Sequence, residues 1–170
     1  MTEIKWRKLL VKDDGVFPNN NKLPVILYEQ VTERDGFNTG RRFIELFERN
    51  NWSNAWENGI FEVHHYHSTA HEVLGIAGGF VEIQLGGPTG ELFRLVKGDV
   101  IVLPAGVAHK NAQQSENFIC IGAYADGRQY DLNYGKAGER EQTEKNILQL
   151  PLPTKDPVQG TDGILKSLWA

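Results

Sequence analysis

The chain has 170 residues, with 18 Lys and Arg against 22 Asp and Glu and an isoelectric point near 5.7. That length suits one domain burying ~70% of its unfolded surface, and a net charge of −4 leaves no basic footprint for nucleic acid. Cys120 is the only cysteine, which excludes an intrachain disulfide. No stretch approaches the ~20 apolar residues of a membrane span, and the opening MTEIKWRKLLVKDDG lacks the apolar run of a signal peptide. The expectation is a cytoplasmic protein with neither membrane nor nucleic acid as partner.

Residues 9–11 form a short apolar run, DDG is a turn, and PNNNKLP is a loop with proline at both ends. Val25, Ile26, Leu27 and Tyr28 read as a strand. Asn38 or Thr39 can cap a helix that runs through Arg41 to about Asn50, with Phe43, Leu46 and Phe47 on its apolar face. Trp52 and Trp56 follow, read as a hydrophobic lid over the fold or, less simply, as a wall facing a ligand. Further on, LGGPTGE reads as a hairpin turn joining Val81, Ile83 and Leu85 to Leu92, Arg94 and Val96. FICIGAY reads as a closing strand on which Cys120 is a small buried hydrophobe. ADGRQYDLNYG is a loop, solvated or with Arg128 or a tyrosine such as Tyr130 reaching a ligand site. A short helix over residues 143–149 precedes a proline-rich tail. Ile164, Leu165, Leu168 and Trp169 imply that its end is tied down by apolar contact.

All five histidines lie in two segments, GIFEVHHYHSTAHEVLGIAGG from Gly59 and GDVIVLPAGVAHKN from Gly98. The alternation from Ile60 to His67 predicts a half-buried strand. Phe61, Val63, His65 and His67 then share one face, and Glu62, His64 and Tyr66 the other. At ~3.3 Å per residue, His65 and His67 stand ~6–7 Å apart and their rings can converge on one ion. A short polar turn and a return strand bring Glu72 beside them, and His109 comes from the second segment. Three imidazoles and a carboxylate suit a divalent first-row metal with two positions left open; the lack of a thiolate argues against a structural zinc site. By parity His64 and His71 point away, to the surface or to supporting positions.

Gly59, His65, His67, Glu72 and Gly79 fit G-x5-H-x-H-x4-E-x6-G, the first motif of the cupin superfamily, at every position. Gly98, Pro104, Gly106 and His109 fit the second, G-x5-P-x-G-x2-H-x3-N, whose final Asn is Gln113 here. The chain therefore resembles a cupin, and with its flanks it looks most like the bacterial single-domain cupins of the YjlB type, whose reaction is not established. The resemblance implies an all-β fold: a double-stranded β-helix, or jelly-roll barrel, with short helices in the N- and C-terminal flanks. On that scheme residues 1–58 are an N-terminal extension, an edge strand plus a short helix, packed on the barrel. Residues 59–124 are the cupin core and 125–170 a C-terminal extension, all in one domain. It also implies a metal held by His65, His67, Glu72 and His109, and a homodimer.

The metal of such a site is a divalent transition ion, Fe, Mn, Zn or Ni. A net charge of about +1 on the loaded site favours a small anionic or enolisable ligand such as a carboxylate, keto acid or sugar-like molecule. The leading functional reading is a metal-dependent enzyme acting by dioxygenase or isomerase/lyase chemistry. The alternative is a metal-containing binding or sensing module without turnover, since this scaffold hosts many functions.

Overall fold

A computed structural model describes residues 3–170. In chain order it contains β1 (Trp6–Leu9), β2 (Val25–Tyr28), α1 (Thr39–Arg49), β3 (Trp52–Asn58), β4 (Glu72–Gly78) and β5 (Phe80–Leu85). There follow β6 (Glu91–Val96), β7 (Val100–Leu103), β8 (His109–Gln114), β9 (Ile119–Ala125), α2 (Arg140–Gln149) and α3 (Ile164–Leu168). A six-stranded sheet in the order β1-β2-β7-β4-β9-β3 faces a three-stranded sheet in the order β6-β5-β8. Every pairing is antiparallel. This is the cupin double-stranded β-helix, with its short helices in the flanks. No described helix is long and apolar enough to cross a membrane.

The larger sheet is covered on both faces, which explains why VILY and VIVL read as unbroken apolar runs. Toward the other sheet it presents Val25, Leu27, Leu74, Ile76, Ile101, Leu103 and Cys120, which pack against Val81, Ile83, Leu85, Phe93 and Leu95. Away from the barrel, Ile26, Tyr28, Val73, Val100, Val102, Ile121 and Ala123 meet Phe43 and Phe47 of α1 and Leu165 and Trp169 of the tail. Gly75 lets α1 close on the sheet, because a Cβ there would sit 2.8 Å from the Phe43 ring. Cys120 is fully buried in the inner layer, and burial pushes its thiol well up. β2 is interior, and the sheet's edge strands are β1 and β3.

Two local expectations are corrected. Asn38 is left-handed at φ 55° and makes no side-chain cap. Thr39 does not cap the helix either; its Oγ1 donates to the Gly36 carbonyl at 3.3 Å. Residues 60–67 do not form a strand. Phe61 and Val63, expected inside, are 52% and 53% exposed, and Tyr66, expected on the opposite face with His64, is fully buried. The chain bends at Glu62 and Val63. His65 and Tyr66 then bridge in different directions, to His109 and Asn133.

The tail is tied down through Asp156 as well as through Leu165 and Trp169. The fully buried Asp156 accepts the N–H groups of Val158 at 2.8 Å, Gln159 at 3.0 Å and Leu165 at 3.1 Å. It also accepts the Tyr28 hydroxyl.

Candidate metal centre

The site is assembled by backbone pairing between the two histidine segments. His65 and His109 exchange N–H···O bonds at 3.2 and 2.9 Å, and Gly106 donates to the His67 carbonyl at 2.8 Å. Gly106 holds φ at 98°, so the turn after Pro104 delivers His109 opposite His65. Glu72 opens β4 facing inward, paired across to Leu103 on one side and Tyr124 on the other. The two histidines expected on one strand face thus do reach a common point, from a bridge of two residues instead of a strand.

His65, His67, Glu72 and His109 are all at most 5% exposed. The three histidine donor atoms lie within 4.8 Å of one another, a set able to hold a metal ion. The tautomers follow from the hydrogen bonds. Nδ1 of His65 faces the Val63 carbonyl at 2.8 Å, that of His67 the Asp131 carbonyl at 2.6 Å, and that of His109 the Val107 carbonyl at 3.0 Å. A carbonyl only accepts, so each Nδ1 carries the proton and each Nε2 presents a lone pair, the form in which histidine ligates a metal. Nε2 of His67 and of His109 approach Glu72 Oε2 at 3.3 and 3.2 Å. Yet that buried oxygen has no hydrogen-bond partner. Lone pairs facing a carboxylate in a buried site are satisfied by a proton or a cation between them, and the donor set fits a divalent ion.

The protonation equilibria show the same demand for positive charge. Burial acts to raise the Glu72 pKa, but His67 and His109 hold it well below the usual carboxylate range. Burial disfavours charge on His67 too, yet the Glu72 carboxylate outweighs it and raises His67. His65 is pushed down to about 3 by burial and by its neighbour His109.

Above these side chains lies a cavity of about 330 Å³ whose wall includes Trp56, Phe61, Tyr130 and Asn54. Trp56 reaches it through an irregularity in β3. Trp52 pairs with Ala125 and Trp56 with Gly122, with a register shift between Ser53 and Trp56, and Asn54 takes φ 59° there. Two residues four apart share a face of an unbroken strand; the bulge sends them to opposite faces. Trp52 accordingly packs under the tail, donating from Nε1 to the Lys155 carbonyl at 2.9 Å. Trp56 lies inside, donating to the Tyr124 hydroxyl at 2.8 Å. Trp56 is therefore a wall of the cavity, whereas Trp52 is a core residue of the outer layer and not a lid.

Gly122 makes room for the Trp56 indole, since a Cβ there would stand 2.2 Å from its ring. Gly122→Ala should force the indole into the cavity and cost about 1–3 kcal/mol. A lowered urea midpoint and an altered near-ultraviolet dichroism would report it; unchanged values of both would mean that the ring has room to spare.

Tyr130 stacks on Tyr124 with ring centroids 4.8 Å apart and meets the His67 ring at 4.9 Å. Of the loop residues singled out by sequence, Tyr130 lines the cavity and Arg128 does not. Gln113 is exposed on β8. His64 lies outside the site, beside Phe17 with ring centroids 6.0 Å apart. Asp131 is a contributor that sequence reasoning missed: it lies 64 residues from His67, and only the abundance of polar side chains in its loop hinted at a role.

His71 is also not a ligand, but it is no surface residue. It is 2% exposed, packs against Trp169, and its Nδ1 accepts the Ala105 N–H at 2.9 Å. It thereby props the turn that aims His109. Burial, then the charge of Arg128, lowers its pKa from 6.5 to about 4, against the opposite pull of the Pro151 carbonyl. The unfolded chain binds this proton first, so the contribution to stability is complete above pH 6.5 and is lost as pH falls toward 4. The loss amounts to about 2 kcal/mol by pH 5 and ~3 kcal/mol below pH 4. Urea titrations at pH 7.5 and 5 should show this slope in the metal-free protein and a shallower one in His71→Asn. Equal slopes would mean that His71 titrates normally.

No protein-family model matches the chain. The uncharacterised protein YjlB of Bacillus subtilis (strain 168) is 39% identical over 157 residues, which cover 92% of each chain. The chain belongs to the YjlB family. Among solved structures, this YjlB-family chain is similar to acireductone dioxygenase from Bacillus anthracis, whose active centre holds a cadmium ion. The identity is 16% and the TM-score 0.41, over 75% of this chain and 82% of that one. It is also similar to QdtA, a sugar 3,4-ketoisomerase from Thermoanaerobacterium thermosaccharolyticum, at 14% identity and TM-score 0.40, over 55% and 74% of the chains. At these identities and scores neither activity is carried over to this chain.

Proposed function

We propose that this YjlB-family cupin is a metalloenzyme that acts on a small oxygenated metabolite by dioxygenase or isomerase/lyase chemistry. His65, His67 and His109 through Nε2, and Glu72 through Oε2, would hold one divalent transition metal. The observation that carries this reading is the convergence of three Nδ1-protonated histidines on a buried carboxylate oxygen without a partner. A bound divalent ion would supply polarisation of a substrate carbonyl or redox activation of oxygen.

The protein's own part is selection and orientation. A cavity of about 330 Å³ is at the small end of ligand sites. Its described wall includes no Lys or Arg, which favours a carboxylate, keto or sugar-like molecule over a polyanion. Trp56, Phe61 and Tyr130 would keep water from the reacting face. Glu72 is engaged with the metal, and the Glu57 carboxylate lies by Gly40 of α1. Tyr130 is then the wall residue with a transferable proton. A homodimer, formed by strand addition at the β1 edge, and a reducing cytoplasmic setting complete the reading.

Elemental analysis of untagged protein, followed by oxygen-uptake and product assays on keto acids, diketones and sugars, tests this. Near-stoichiometric metal with turnover supports it. Metal and ligand binding without turnover would indicate a sensing or carrier module, and no metal after reconstitution would overturn the central claim.

A further inference from the structure

The loop after β9 holds His67 from outside the motif positions. The Asp131 carbonyl accepts the His67 Nδ1–H at 2.6 Å, and the Asp131 side chain anchors that carbonyl. One carboxylate oxygen accepts the N–H groups of Ser68 at 2.6 Å and Thr69 at 3.2 Å. The other accepts the Ser68 hydroxyl and the Asn133 amide, the latter at 2.9 Å. In return, the Asp131 N–H donates to the Thr69 hydroxyl at 3.0 Å. Two residues farther on, Asn133 and Tyr66 exchange backbone bonds at 2.9 and 3.1 Å. The loop therefore closes on residues 66–69 through a dense set of directional bonds, unlike a solvated connection.

This geometry matters because an imidazole serves as a ligand only in one tautomer and one ring orientation. With the carbonyl displaced, the His67 ring is free to turn over or to move its proton to Nε2, and either change removes the lone pair from the site. The same clasp seats Tyr130, the preceding residue, against the His67 ring.

We propose that Asp131 is the positioning residue of this centre, clasping residues 67–69 so that its carbonyl keeps His67 protonated at Nδ1 with Nε2 toward Glu72. The ligand role of His67 that it serves rests on the metal reading above. Asparagine is a poor substitute, because its amide nitrogen would face either the Ser68 and Thr69 N–H groups or the Asn133 amide, donor against donor, and only the Ser68 hydroxyl could turn to accept from it.

The test compares wild type with Asp131→Ala and Asp131→Asn by two readouts. The first is Co²⁺ affinity and visible spectrum by chelator competition; the second is the ¹⁵N imidazole spectrum of metal-free protein above the His67 titration. Asp131→Ala should weaken Co²⁺ binding roughly 10- to 100-fold, change the spectrum, and lose the single Nδ1–H form of His67. Asp131→Asn should fall between it and wild type, and it carries the test if the alanine variant does not fold. Unchanged affinity and spectrum in a wild type that binds Co²⁺ would overturn the proposal and leave the metal centre standing. If wild type binds no Co²⁺, the metal reading fails. The imidazole spectrum then decides the clasp alone, and a His67 still fixed at Nδ1–H in both variants would overturn it.

Discussion

Alanine at His65, His67 or His109, made singly, should leave a protein with wild-type far-ultraviolet dichroism that no longer retains metal through gel filtration. The expected fall in affinity exceeds the roughly 100-fold that loss of a supporting residue costs, because each change removes a donor from the set. Glu72→Gln should do the same for a different reason: it keeps the shape but removes the charge that draws a cation among three Nε2 atoms. In the metal-free protein that substitution should be destabilising at pH 7. His67 and His109 hold the folded-state Glu72 pKa below its unfolded value despite burial, so the ionised carboxylate favours the fold above the unfolded value and loses that contribution as pH falls. Denaturant midpoints of metal-free samples check that sign. His64→Ala should retain metal at the wild-type level, since His64 faces Phe17 and not the site; metal loss in that variant would refute the ligand assignment.

Asp156→Ala should be the most destabilising of these changes, by roughly 4 kcal/mol or more. It strands the Tyr28 hydroxyl and the Val158 and Leu165 N–H groups away from solvent, and removes the acceptor of the Gln159 N–H. Burial and the Asp156 charge push the Tyr28 phenol well above its ordinary pKa, so this hydroxyl stays a donor and cannot ionise its way out. Asp156→Asn retains one acceptor for Val158 and Gln159 and should cost about half as much. Urea unfolding followed by tryptophan fluorescence reports both, with Trp52 and Trp169 lying in the layer that loosens. Equal stability of wild type and Asp156→Ala would mean that the tail contributes little to the fold.

The ligands of the proposed centre were legible because they are fixed by spacing. His65 and His67 two apart with Glu72 five further, and His109 behind Pro104 and Gly106, are local spacings, and the resemblance those two motifs carry places the segments together. The same holds for the apolar runs of β2 and β7 and for the β5–β6 hairpin. The reading of residues 60–67 as a strand failed because alternation describes a repeating backbone, and this segment bends and pairs with two different partners. A bulge in β3 likewise has no signature in a stretch as irregular as WSNAWENG, so parity alone could not separate Trp52 from Trp56.

By itself, then, the sequence determined the four side chains that converge and, through the resemblance its two motifs carry, the all-β class. Each motif is a local spacing that can be read along the chain, and the resemblance brings the two segments together. Only the tertiary structure decided how the set is held. It supplied the carbonyl at Asp131 that fixes the His67 tautomer, His71 under the turn at Ala105, and Gly122 beneath Trp56. Each joins residues tens of positions apart, and such pairings depend on how the sheets and loops pack, which no local pattern encodes.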